Sequence, residues 1–196
     1  GSLVMSRWTP ALTYPAPQVS ASGSVLANLA VTSCDLRWIA GSGSGRMVIM
    51  SEGTPVNTHP SNGVAYVARN TFGVRESLGP NNYVVYCSTD TFVSLKGLKP
   101  ATRYYVKIIE YNGCGSSIVY ESGSDTLSFL TSARYYYTKS TGALNELATW
   151  GDRPDGSGNA PLSLSIDSVT YCVVNNMFPY IASDSVVFGS PSCKVI

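Results

Sequence analysis

Acid–base chemistry near neutral pH calls first on histidine, and this chain has one, His59. It stands in an irregular stretch, with no second histidine to complete a two-histidine metal site. No Gly-x-Ser-x-Gly elbow is present to hold a serine nucleophile. Any histidine-dependent triad would have to run through His59, and a solvated or hydrogen-bonded loop side chain is the simpler reading. Asp and Glu together number 12. None lies in a pocket-forming motif that would set two carboxylates across a glycosidic bond. Glu110, at the end of a long apolar run, is the most interesting of them. Its plainer reading is an outward-facing residue or the partner of a neighbouring arginine.

Oxygen ligands are dense in Asp152-Arg-Pro-Asp155-Gly-Ser-Gly-Asn159, which raises calcium. The segment lacks the Asp-x-Asp-x-Asp alternation and the distal glutamate of an EF-hand, and Asp-Gly followed by Ser-Gly is turn chemistry. Gly41-Ser-Gly-Ser-Gly45 is followed by no Gly-Lys-Ser/Thr and opens no helix, so it is not a phosphate loop. Tyr135, Tyr136, Tyr137 and Trp150 suggest an aromatic platform for sugars. Alternate residues of a strand face opposite ways, so at most Tyr135 and Tyr137 align, and core packing is the better reading. The cysteines at 34, 87, 114, 172 and 193 contain no CxxC pair for zinc. Their odd number rules out full internal pairing, and buried free thiols are expected. No catalytic residue, metal or cofactor is expected.

The elements that would carry these residues are β-strands. Helical periodicity is nearly absent, with one candidate turn or two at Ala143–Thr149. Short β-rich runs alternate with Gly, Pro, Asn and Ser clusters, the pattern of a sandwich or barrel. The runs are Pro17–Ala21, resuming at Val25–Val31; Asp35–Ala40; Arg46–Ser51; Tyr83–Cys87; Thr91–Leu95; Arg103–Tyr111; and Thr126–Thr131. In Asp35–Ala40, Leu36 and Trp38 share one face and Arg37 and Ile39 the other.

Composition narrows the function classes. The 196 residues are enough for one large or two small domains. Charged residues make up 13% and the net charge is +1. No basic run or stripe supports nucleic-acid binding. No apolar stretch approaches the ~20 residues of a membrane helix. No signal peptide is visible. Gly1-Ser2 reads as a cloning remnant, which leaves room for a leader removed beforehand, and the closing Cys193-Lys-Val-Ile196 reads as the middle of a strand.

The decisive motif is Leu98-Lys-Pro100-Ala-Thr102-Arg-Tyr104, where the chain turns a corner into a strand. A buried tyrosine there adds apolar area while its hydroxyl bonds back to nearby backbone. This motif, with Trp38 on the second strand, resembles the E–F corner and core tryptophan of fibronectin type III domains over about residues 15–132. Trp38-Ile-Ala-Gly41-Ser-Gly-Ser-Gly-Arg46, Asn82-Tyr-Val-Val-Tyr86, Gly97-Leu98 and Glu110-Tyr-Asn-Gly113 resemble a variant from secreted multidomain proteins of Bacteroidetes. Tyr136 to Gly151 is similar to the segment that often follows it, opening another all-β module. The cysteines and the early stop depart from that pattern.

The resemblance implies an all-β, seven-stranded fibronectin type III/immunoglobulin-like sandwich over 14–132, with an insertion at 52–81. An incomplete second all-β module is expected over 133–196. It also implies a non-enzymatic, extracellular or cell-surface adhesion and spacer module that takes a protein or glycan ligand. The alternative is a carbohydrate-binding accessory domain of a secreted polysaccharide-degrading enzyme. Strand alternation gathers Gly41–Gly45, Cys87–Asp90 and Asn112–Ser124 at one end. Ligand contact is therefore expected at Ser42, Ser44, Asn112 and Tyr120. The same end holds Cys87 and Cys114, the pair expected for any disulfide in the first module. Cys172 and Cys193 are the local pair in the tail. Val64, Tyr66, Val67, Phe72 and Val74 make the insertion too apolar to leave in water, so it should fold back on the sandwich and meet Tyr135–Tyr137.

Overall fold

The computed structural model describes residues 13–74, 78–165, 169–176, 179–182 and 194–196. β-branched and aromatic residues at alternate positions dictate strands, and the described residues contain no α-helix. Eight strands build two facing sheets. They are β1 (Ser22–Ala27), β2 (Cys34–Ile39), β3 (Gly45–Glu52), β4 (Tyr83–Ser88), β5 (Phe92–Leu95), β6 (Arg103–Asn112), β7 (Val119–Tyr120) and β8 (Asp125–Leu130). One sheet runs β1-β2-β5. The other runs β4-β3-β6, with β7 and β8 both antiparallel to β6 as two pieces of a broken last strand. The seven expected strands are thus present.

The first strand differs from expectation. It covers Ser22–Ala27 and its register shifts between Ser22 and Val25, where Gly23 adopts φ +61°. Residues 17–21 lie outside it because side chains bind their backbone: the Gln18 and Val19 amides donate to Ser42 Oγ.

The core between the sheets joins Leu36, Trp38, Val93 and Leu95 to Val48, Met50, Val106 and Ile108. Leu36 and Trp38 point in, whereas Arg37 and Ile39 are exposed. Tyr104 is fully buried, and its hydroxyl accepts the Lys99 amide at 2.9 Å, which closes the corner that the Leu98–Tyr104 motif predicts. Side chains of this kind each contribute roughly 1.5–3 kcal/mol by leaving water.

The insertion covers the second sheet's outer face. Val56, Tyr66, Ala68 and Leu78 pack on Met47, Ile49, Val84 and Ile109. This explains the unbroken apolar run Met47–Met50, because β3 is buried on both faces. The chain then closes the sandwich edge. Arg69 N–H donates to Val84 O, Lys96 N–H to Asn70 O and Phe72 N–H to Lys96 O. The Phe72 ring meets Tyr83 and Tyr104 edge-on, both at 4.9 Å.

A third sheet follows: β9 (Tyr135–Thr138), β10 (Trp150–Gly151), β11 (Thr170–Cys172) and β12 (Lys194–Val195), in the order β10-β9-β11-β12. The helical candidate at 143–149 is a single 3₁₀ turn, Leu147–Thr149. Tyr136, Trp150 and Tyr171 form this sheet's core together with Val31, a residue of the β1–β2 loop. The expected meeting of the insertion with Tyr135–Tyr137 is replaced here. The insertion lays Val56, Tyr66, Ala68 and Leu78 on its own sheet and Phe72 on the inter-sheet core, whereas Val64, Val67 and Val74 are exposed against expectation. The β1–β2 loop makes the junction, with Ser132 N–H donating to Ala30 O.

Candidate functional site

The β2–β3, β4–β5 and β6–β8 turns meet at one end of the sandwich around a buried ion pair. Glu110 is 0% exposed and Arg46 7%. Their side chains meet at 3.0 Å between Nε and Oε1. The same carboxylate accepts the Gly41 amide at 2.8 Å and the Gly43 amide at 2.9 Å. The arginine's other nitrogens donate to Thr89 O and Gly43 O. Glu121, also buried, accepts the Glu110 amide and the Ser20 hydroxyl. The two carboxylates are therefore paired or hydrogen-bonded, as buried charges must be.

The glycine loop is required by this arrangement. A Cβ on Gly41 would overlap the Val19 carbonyl, and one on Gly43 would overlap the Glu110 carboxylate. What the sequence presents as a flexible turn is a tight wrap around an anion.

The expected contact residues divide. Ser42 and Ser44 are exposed, and Asn112 is half-buried beside them. Ser44 N–H donates to Asn112 Oδ1 at 2.8 Å, and Asn112 Nδ2 donates to Pro15 O at 2.9 Å. Tyr120 faces the core instead: it is 4% exposed, its ring lies 5.9 Å from Tyr111, and its hydroxyl donates to Val64 O under the insertion. Burial raises the hydroxyls of Tyr111 and Tyr120 well above the ordinary phenol range.

Cys87 and Cys114 do not form the expected disulfide; both are free thiols. Cys87 packs under the insertion beside Tyr111, where burial raises its pKa, whereas Cys114 is exposed on the β6–β7 loop. Cys34 is buried and pushed up to about 12, first by desolvation and then by Asp35. Of the tail pair, Cys172 is a buried free thiol and Cys193 lies outside the described residues.

The other motifs are structural. His59 is exposed, with Nδ1 3.0 Å from Pro60 O. Asp152 accepts both the amide and the side-chain nitrogen of Asn159, and Asp155 accepts the Ser157 amide, so these oxygens build turns. Trp150 is 0% exposed and Tyr136 stacks on Tyr171 at 5.8 Å, which leaves Tyr135 as the exposed member of the tyrosine run. Sequence reasoning passed over Arg46 and Glu121. For Arg46 the available signal was a charge inside an otherwise β-rich run; Glu121, in the turn after β7, carried none.

No protein-family model matches this chain, and no curated protein matches it. Among solved structures it is similar to a redesigned β-sandwich protein (17% identity, 58% of this chain and 89% of that one, TM-score 0.39). It is also similar to the fibronectin type III domain of human fibronectin type III domain containing protein 3 (20% identity, 63% and 93%, TM-score 0.39). A third is titin domains A168–A170 (14% identity, 60% and 32%, TM-score 0.39). Likenesses this distant carry no functional argument. The strand order β1-β2-β5 against β4-β3-β6-β8, with the Tyr104 corner, defines the class. The sandwich is fibronectin type III-like. No helix among its described residues is long and apolar enough to cross a membrane.

Proposed function

We propose that this chain is a non-enzymatic binding and spacing module of an extracellular or cell-surface protein, with its ligand, a protein or glycan, at the loop end. The observation that carries the reading is the cinching of three turns around Glu110 and Arg46. A preorganised set of loops on a rigid sandwich loses little entropy on binding. Ser42, Ser44 and Asn112 form the contact surface, and Tyr120 holds it from behind. Acid–base chemistry finds no footing here, because Glu110 is already engaged by Arg46 and two amides. The weakly charged surface argues against nucleic acid as partner.

The proposed units are 14–132, with the insertion at 52–81, and a second all-β unit over 133–196. The separate core around Trp150 and Tyr171 supports this division. Val31, reaching into that core, favours a fixed angle between the units. The carbohydrate-binding alternative keeps exposed Tyr135 and Tyr180, but loses Trp150 to the core.

The test is an array of peptides and glycans probed with the chain and with Ser44→Arg. That change crowds the loop end and gives up one exposed hydrogen bond, from Ser44 Oγ to Tyr111 O, so the Tm is read beside the binding. Binding that disappears in Ser44→Arg at unchanged Tm supports the reading. Binding that persists places the ligand elsewhere.

A further inference from the structure

Sheet edges expose unpaired backbone groups, and among the described residues the two sandwich sheets blunt most of theirs. The β5 edge is bridged by Thr71 at Lys96, and the β4 edge accepts Arg69 N–H at Val84 O. The β7 edge is sealed where Gly63 N–H donates to Ile118 O and Asn62 Oδ1 accepts Tyr120 N–H. β1 is bulged at Gly23. Among the described residues β8 pairs with β6, and an open groove of about 460 Å³ runs beside it between Val56 of the insertion and Thr126.

The phase of its ladder follows from one bond. Thr131 N–H donates to Thr102 O, so Phe129, Leu127 and Asp125 turn their backbone groups to β6. Ser124, Thr126, Ser128 and Leu130 turn theirs outward. Strand β8 holds no Lys, Arg or Pro, and its one charge, Asp125, accepts the Ser24 amide across the corner.

We propose that β8 is a self-association edge that pairs antiparallel with β8 of a second copy of this chain, about a two-fold axis at Leu127. The strand is self-complementary in that register. Thr126 faces Ser128 of the other copy, both with outward backbone groups, and their hydroxyls sit side by side. Leu127 meets Leu127, and Asp125 faces Phe129, so no like charges oppose. The two second sheets become one continuous sheet. This surface is on the side of the sandwich and is independent of the loop-end reading.

Sedimentation velocity of the chain from about 10 μM to about 1 mM tests it, since one strand pair is a smaller contact than the ~1,200 Å² of standard interfaces and calls for high concentration. Dimerisation is expected. Thr126 and Ser128 are exposed, so T126K/S128K keeps the monomer's Tm while opposing lysines across the axis. It is expected to stay monomeric, as is T126E/S128E, and an equimolar mixture of the two is expected to form heterodimers. Hydrogen exchange needs no variant: the Thr126 and Ser128 amides should gain protection as concentration rises. A wild-type chain monomeric at about 1 mM overturns the proposal. So does a dimer that survives T126K/S128K, or one that leaves those two amides unprotected.

Discussion

Replacing Glu110 by Gln tests whether the ion pair holds the loop end together. The carboxylate is 0% exposed and meets Arg46 at 3.0 Å. Removing one member of a buried pair leaves the other charge uncompensated, at about 3–5 kcal/mol. Glutamine also turns an NH2 toward one of two donors, the Gly41 and Gly43 amides, which adds about 1 kcal/mol. Arg46 keeps its bonds to Thr89 O and Gly43 O, so the lower part of that range applies, about 4 kcal/mol in all. With a urea slope of about 2 kcal/mol per M, the unfolding midpoint falls by about 2 M. Urea titration followed by circular dichroism measures it. The double variant R46M/E110L removes both charges together and is expected to lose distinctly less than E110Q. A loss below about 1 kcal/mol for E110Q, or a double variant as damaged as the sum of its singles, would refute the reasoning.

Tyr104→Phe removes the hydroxyl that accepts the Lys99 amide and is expected to cost about 1–2 kcal/mol in the same assay; no change would mean that water replaces the bond without loss. In native protein, iodoacetamide should label exposed Cys114 quickly and Cys34, held near 12, only on unfolding; equal rates followed by mass spectrometry would contradict the burial. Hydrogen bonds from Ser94 and Asn28 hold Asp35 below the usual carboxylate range, so its stabilisation is present above the unfolded value of about 3.9 and is lost as pH falls through the folded one. The stability gap between wild type and Asp35→Asn should therefore narrow below pH about 4, and a gap equal at pH 3 and pH 7 would sink that account. Phe72→Ala removes the ring lodged against Tyr83 and Tyr104 and is expected to cost about 3 kcal/mol; a negligible change would show that the insertion lies loosely on the edge.

The strands were legible because their signals are local. Alternation placed Leu36 and Trp38 inward, and the Leu98–Tyr104 spacing placed a tyrosine at a corner, both without knowledge of any partner strand. The first strand's limits were not legible, since Ser42, 23 residues on, decides whether Val19 has a ladder to join. The insertion's apolar residues were expected to be buried, which holds in part for Tyr66 and Phe72 and fails for Val64, Val67 and Val74, and they did not say against what. Two surfaces were open to it, and the continuous apolar run Met47–Met50 already favoured the nearer one, because an outward Met47 and Ile49 need a cover. Val31 stands beside Leu29 and Ala30 in the β1–β2 turn, and Leu29 packs on the sandwich core, so nothing singled Val31 out for the junction that it makes.

The loop end shows a deeper limit. Gly-Ser-Gly-Ser-Gly carries the composition of a flexible linker, and composition sets stiffness only when nothing else binds the backbone. Here two glycines leave room for the Glu110 carboxylate to reach two amides, and the serines between them anchor residues 18–19 and 111. The feature that reads as freedom in one dimension is close approach in three. A carboxylate directly after the buried pair Ile108-Ile109 was the sign of it, because Glu110 there has to find a cation, and Arg46 lies directly opposite in the β3–β6 register. If the proposed ligand surface is this end, exposed side chains such as Ser44 act in one held geometry, so a substitution at Gly43 is expected to impair binding through lost loop order even where the new side chain never touches the ligand.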